Sequence, residues 1–217
     1  IETVGIEEDL DSLHTELPHL NKMWESSGYD YCKRRYPNEE LSINEMFIKK
    51  AALLPEFGKI VCASVGFIVP NGEIKLDSFV GEEKEILGNL CELFNRVDKL
   101  GFRICGHNIK NFDLPYIGKK MLVHGITLPK ILPTYNDKPW ETRVVDTKEV
   151  WGFNSYIGLS SLDLICASLG IDSPKSGDLK GDLLHQFYYS EKKDINKIKT
   201  YCENDVTATI KLVKKIT

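Results

Sequence analysis

The stretch from residue 59 to residue 80 narrows the possible folds more than any other. Residues 59–69 are apolar and rich in β-branched side chains, Pro70-Asn71-Gly72 is a turn signal, and residues 73–80 alternate polar with apolar. This pattern predicts two antiparallel strands joined by a short turn. A hairpin of this kind needs a sheet to join and helices to cover it, so the flanking periodicity decides the fold class.

Helical signals lie on both sides. Ser42-Ile43-Asn44-Glu45 is a capping box opening a helix with Ile43, Met46, Phe47 and Leu54 on one face, closed by Pro55. Residues 82–100 carry Ile86, Leu90, Leu93, Val97 and Leu100 at helical spacing, ended by Gly101. A short buried strand is expected at 102–105, a loop starting at Gly106-His107-Asn108, a helix over about 114–124, and a strand around Val144-Val145-Asp146. Ser160-Ser161-Leu162-Asp163 caps a helix to residue 169, and a Gly- and Lys-containing loop spans 170–181. Asp194 caps a final helix that turns Ile198, Cys202, Val206, Thr209 and Val213 inward. The expected class is α/β, a mixed sheet flanked by helices on both faces.

Residues 1–5 read as the tail of a strand. A strand usually needs about 5 to 6 residues, so the natural N-terminus is expected upstream of Ile1. Residues 7–41 are polar, contain Pro18 and Pro37, and carry a Leu10, Leu13, Leu17, Leu20 spacing that Pro18 interrupts. With the capping-box helix they make a partly helical insertion, 7–55, in a single domain 1–217.

Composition matters here for what it excludes. The apolar run at 60–69 is much shorter than the roughly 20 residues of a membrane span, and no secretory signal is expected before the fold. A soluble, cytoplasmic protein is expected, with no membrane partner; the sequence leaves its oligomeric state open. Cys32, Cys62, Cys91, Cys105, Cys166 and Cys202 show no CxxC spacing and fit reduced core thiols, neither a zinc site nor a disulfide framework. A net charge of −4 argues against broad clamping of duplex DNA. The charge is uneven: residues 2–50 hold 6 basic and 11 acidic side chains, whereas residues 103–143 hold 7 basic and 3 acidic. That basic stretch is read equally as a solvated surface and as a phosphate-facing groove.

Three acidic fragments remain: Ile1-Glu2-Thr3, Asn108-Ile109-Lys110-Asn111-Phe112-Asp113, and Tyr201-Cys202-Glu203-Asn204-Asp205. A carboxylate buried in such a sheet is costly unless paired or bound to a metal. Gly106-His107-Asn108 follows an apolar strand, and ligand sites in α/β sheets lie at strand carboxyl ends. Asp113 suits either the cap of the helix beginning at Leu114 or a metal-facing position, and Phe112 either packing or base stacking. Tyr201 and Asp205, four apart, share one helical face.

Together the three fragments resemble the DEDD superfamily of 3′-to-5′ exonucleases in its Tyr-containing (DEDDy) branch, and within it the stand-alone proteins related to the proofreading exonuclease domain of B-family DNA polymerases. Weaker likeness in Pro55-Glu56-Phe57-Gly58-Lys59-Ile60-Val61, Asp146-Thr147-Lys148 and Leu169-Gly170-Ile171 extends this across nearly the whole chain. The resemblance implies a ribonuclease H-like fold, two Mg²⁺ or Mn²⁺ ions, and removal of mononucleotides from the 3′ end of single-stranded DNA. It implies Glu2, Asp113 and Asp205 as metal ligands, with Glu2 and Tyr201 positioning the attacking water. Thr3, Asn108, Phe112 and Lys175 are implied as substrate contacts. The family's first Asp, which precedes the Ile-Glu dipeptide, does not stand in this sequence. The resemblance therefore implies weak metal binding and an inactive chain as it stands, with Glu2, Asp113 and Asp205 converging at the carboxyl end of the central strand. Two alternatives stay open: a 3′-to-5′ exoribonuclease with the same carboxylates, and a noncatalytic nucleic-acid-binding module.

Overall fold

The computed structural model describes residues 1–134, 137–138, 141–153, 155, 161–174 and 179–216. In chain order, β1 is Glu2–Gly5, α1 Leu10–Glu16, α2 Pro18–Met23, a π turn Trp24–Gly28, α3 Tyr29–Arg35, α4 Ile43–Lys50, and a short 3-10 turn Ala51–Leu53. Then come β2 Gly58–Ile68, β3 Ile74–Val80, α5 Glu83–Lys99, β4 Ile104–Gly106, α6 Asp113–Val123, β5 Val144–Asp146 and α7 Thr147–Gly152. The C-terminal part holds α8 Leu162–Ser168, a 3-10 turn Gly181–Leu183, α9 Leu184–Tyr189 and α10 Ile195–Ile216.

The hairpin forms as its sequence predicts. β2 and β3 pair antiparallel from Cys62↔Val80 to Ile68↔Ile74, and Gly72 supplies the positive φ that the turn requires, +85°. β1 pairs antiparallel with the other edge of β2, giving the order β1-β2-β3. The register steps from Glu2↔Cys62 to Thr3↔Ile60, so β2 carries one extra residue, Val61, opposite the start of β1. This bulge explains why the consecutive residues Val61 and Cys62 pack into the same apolar cluster.

The expected single mixed sheet is corrected by the pairing. β4 and β5 form a separate parallel ladder, with Gly106 opposite Asp146; among the described residues no strand joins it to β1-β2-β3. Each parallel strand has only three residues. Phe102 and Cys105 are exposed, so 102–105 is not the buried strand its apolar character suggests.

Helices cover both faces of the larger sheet. α5 and α6 pack on one face through Ile86, Leu87, Leu90, Phe94, Leu114, Ile117 and Met121 against Ile60 and Ala63. On the other face α10 lies close enough that a Cβ on Gly66 would stand 2.7 Å from Ile210 Cδ1, so this position demands glycine. The inward face of α5 is Ile86, Leu87, Leu90 and Phe94, and Leu100 of the expected stripe is exposed. α10 begins after Asp194, whose Oδ1 accepts from Asn196 N at 2.9 Å. It buries Ile198, Tyr201, Cys202, Ala208 and Leu212, whereas Val206, Thr209 and Val213 are half-buried. The shift arises because α10 is covered twice, by the sheet at its start and by Ile165 and Cys166 of α8 near its end.

The N-terminal insertion is more ordered than its polar sequence suggests. Pro18 opens α2 instead of merely interrupting a helix, and α4 ends at Lys50, before Pro55. The capping box at Ser42 and Glu45 forms with both hydrogen bonds. Trp24, fully buried, sits edge-on to Phe47 at 5.1 Å and to Phe57 at 5.0 Å, and Leu13, Cys32, Met46 and Ala51 complete a separate core. The six cysteines are free thiols. Among the described residues no helix is long and apolar enough to cross a membrane.

Candidate active site

Three elements bring acidic side chains toward the start of β1. Glu2 opens the strand, Asp113 opens α6, and Tyr201 with Asp205 lies on the second and third turns of α10. The amino group of Ile1 lies 2.8 Å from Asp113 Oδ1, across 112 positions of sequence. That contact locates Asp113 directly beside the first residue of β1. Among the strands of its sheet β1 is an edge, not the centre, and Glu2 stands at its amino end. The expected meeting place at the carboxyl end of a central strand is corrected accordingly: the loop before α6 and the body of α10 reach the opposite end of β1.

Electrostatics records the same neighbourhood. Burial raises the Glu2 carboxyl well above the usual glutamate range, and the negative charges of Asp205 and Asp113 push it further, against the Ile1 ammonium. Burial opposes the charge on the Ile1 amine, yet the adjacent Asp113 carboxylate leaves it raised. Burial, then Glu2 and Asp205, raise the Tyr201 phenol, so it keeps its proton at neutral pH. Its hydroxyl faces Gly181, where an added Cβ would lie 3.3 Å away. Asp205 Oδ1 is buried from solvent. Among the described residues no three His, Cys, Asp or Glu side chains close into a metal-ligand group.

Asp113 does not cap α6. Phe112 is the cap residue, with no side-chain hydrogen bond, and Asp113 stands in the first turn, where the helix dipole favours a carboxylate. Phe112 packs against Tyr116, ring centres 5.6 Å apart, at the margin of the main core. Asn108 adopts a left-handed φ of +57° and its side-chain oxygen accepts from Lys148 Nζ at 3.3 Å. The Thr3 hydroxyl donates to Ala52 O at 2.8 Å, tying β1 to the insertion. Lys175 lies outside the described residues.

A family of predicted 3′-5′ exonucleases related to the exonuclease domain of PolB matches residues 53–216. The chain belongs to this family. No curated protein matches the chain. The matched span of this exonuclease family holds Asp113, Tyr201 and Asp205, whereas Glu2 and Thr3 precede it. Membership implies a hydrolase with a nucleic-acid substrate and a ribonuclease H-like fold, and exonucleases of this kind typically use divalent metals. The residues present fit such ions chemically. Their donors are hard carboxylate oxygens, and the raised Glu2 carboxyl marks a place where positive charge is wanted.

Asp146 is not among the site residues that the sequence singles out. It is 1% exposed, and the signal that could have found it is an acidic side chain ending the apolar run Val144-Val145, where a charge needs partners.

Proposed function

We propose that this exonuclease-family chain, with the family's first Asp in place before Ile1, hydrolyses phosphodiester bonds at the 3′ end of single-stranded DNA and releases mononucleotides, with Mg²⁺ or Mn²⁺ as cofactor. The observation that supports this reading is the meeting of β1, α6 and α10, where the Glu2 carboxyl, raised first by burial, also feels the charges of Asp205 and Asp113. Glu2 and Asp205 would hold one ion and Asp113 the second. Bound ions of this kind lower the pKa of water and stabilise charge on the phosphate and the leaving oxygen.

The rest of the chemistry belongs to the protein. Tyr201, held as a neutral phenol, orients the attacking water at its hydroxyl, together with Glu2. Asn108, its oxygen held by Lys148, offers its amide N–H to the terminal nucleotide, and Phe112 gives that nucleotide an apolar edge. Thr3, bonded to Ala52, forms the wall behind it.

The test uses the chain carrying an Asp immediately before Ile1, a position that starts within hydrogen-bond distance of Asp113. With 5′-labelled single-stranded DNA and Mg²⁺ or Mn²⁺, a ladder shortening from the 3′ end is expected, abolished by EDTA. Cleavage starting at a 5′ end, or activity indifferent to chelation, overturns the reading; faster degradation of single-stranded RNA than of DNA moves the substrate to the exoribonuclease class.

A further inference from the structure

Asp146 ends β5 inside the molecule, and its carboxylate receives three backbone N–H groups. Oδ1 accepts from Asn108 N at 2.8 Å and Lys148 N at 2.9 Å, and Oδ2 accepts from Lys110 N at 3.1 Å. Only the Lys148 bond serves the cap of α7. The other two reach across the parallel ladder, where Gly106 stands opposite Asp146, into the loop that leads to Asp113.

That loop is built to one shape. Asn108 is held at φ +57°, a left-handed conformation that non-glycine residues seldom adopt and that asparagine tolerates best among them. Its carbonyl accepts from Asn111 N at 3.2 Å and Phe112 N at 3.1 Å, which turns the chain into α6. A Cβ on Gly106 would lie 2.6 Å from Ile109 Cδ1, so the loop folds tightly back on its own strand. His107 Nδ1 and Thr147 Oγ1, 3.0 Å apart, make a second tie to α7.

We infer that Asp146 is a positioning residue: by gripping the backbone of Asn108 and Lys110 it holds Asn108 in its left-handed turn and sets Asp113 beside Glu2. The inference rests on the proposed exonuclease reading for its functional consequence. Charge-assisted bonds to backbone N–H groups are strong and directional, and a shift of about 1 Å in a catalytic group lowers turnover by on the order of 10²-fold.

Asp146→Ser separates the grip from the cap. Serine is a good N-cap and keeps a bond to Lys148 N, but one hydroxyl cannot also reach Asn108 N and Lys110 N. In the chain carrying Asp before Ile1, the amides of Asn108 and Lys110 are expected to exchange hydrogen at least about tenfold faster in Asp146→Ser, while Lys148 stays protected. kcat on 3′-labelled single-stranded DNA should fall on the order of 10²-fold with KM changed little. Asp146→Asn, which keeps one acceptor oxygen, should lie between Asp146→Ser and the parent in both measurements. Parent-like exchange at Asn108 and Lys110 in Asp146→Ser overturns the inference, as does lost protection with undiminished kcat. An inactive parent overturns the exonuclease reading instead, and the exchange rates then still decide whether Asp146 holds the loop.

Discussion

The two ends of β1, a strand of only four residues, live in opposite environments. At the Gly5 end every polar group is answered: His185 Nδ1 accepts from Gly5 N at 3.0 Å, its Nε2 donates to Glu8 O at 2.8 Å, and the Tyr189 hydroxyl meets Gly5 O and Ile6 O, each at 2.9 Å. At the Glu2 end a desolvated carboxyl faces two further acids. One end is built for stability and the other holds unfavourable charge in place, the arrangement that ligand-binding sites share. The rigid end is what makes the strained end possible, because a strand anchored at Gly5 cannot swing Glu2 out into solvent.

The largest expected effect lies at the acidic end. In the chain carrying Asp before Ile1, Asp205→Asn should abolish turnover, because its carboxylate would hold a metal ion, whereas Tyr201→Phe should lower kcat by about 10²-fold, the lower end of the range for positioned groups. Single-turnover kinetics on 3′-labelled DNA measures both, and a Tyr201→Phe enzyme equal to its parent would remove Tyr201 from the mechanism.

At the anchored end the expected effect is on stability. Gly5→Ala places a Cβ 2.8 Å from His185 Cε1 and should cost about 1 to 3 kcal/mol, read by urea unfolding. An unchanged midpoint would show that the anchor is looser than the distances imply.

The same anchor predicts a pH effect. Burial lowers the pKa of His185 from the ordinary 6.5, since protonation would put a hydrogen on Nδ1 where it accepts from Gly5. The unfolded chain therefore binds more protons in the window below 6.5, so stability is full above that pH and falls as the pH drops through it. His185→Gln should flatten this dependence in thermal melts; an identical slope in the variant would clear His185 of it.

The smallest effect has the opposite sign. Glu2 has a raised pKa in the fold, so the folded chain binds more protons above the ordinary glutamate range, and ionising Glu2 destabilises it as pH rises. Without divalent ions, Glu2→Gln should melt slightly higher than the parent at neutral pH, with the difference vanishing in acid. A lower melting temperature would contradict the picture of a strained acidic end.

The elements that local chemistry dictates could be read in advance. The hairpin with its turn at Gly72, the capping box at Ser42, the strand at Val144 and the cap at Asp194 each depend on neighbours within a few residues. Glu2, Asp113, Tyr201 and Asp205 were picked out as one acidic set, and the family match covers the last three. Long-range features were not legible. The Val61 bulge arises from how β1 docks on β2, and the face of α10 rotates because α8 covers its second half. Trp24 is one aromatic in a polar stretch, and only the approach of Phe47 and Phe57 makes it the centre of a core.

Sequence by itself determined which residues carry charge, where helices and strands begin, and the alternation that pairs β2 with β3, because these depend on local sterics, capping and hydrophobic periodicity. Tertiary structure alone decided that the described strands form two separate sheets, that Asp146 reaches back to Asn108 and Lys110, and that β1 is anchored at Gly5 and acidic at Glu2. The physical reason is desolvation: a carboxylate or an imidazole acquires its meaning from the groups that replace its water, and those come from segments as many as 180 positions away.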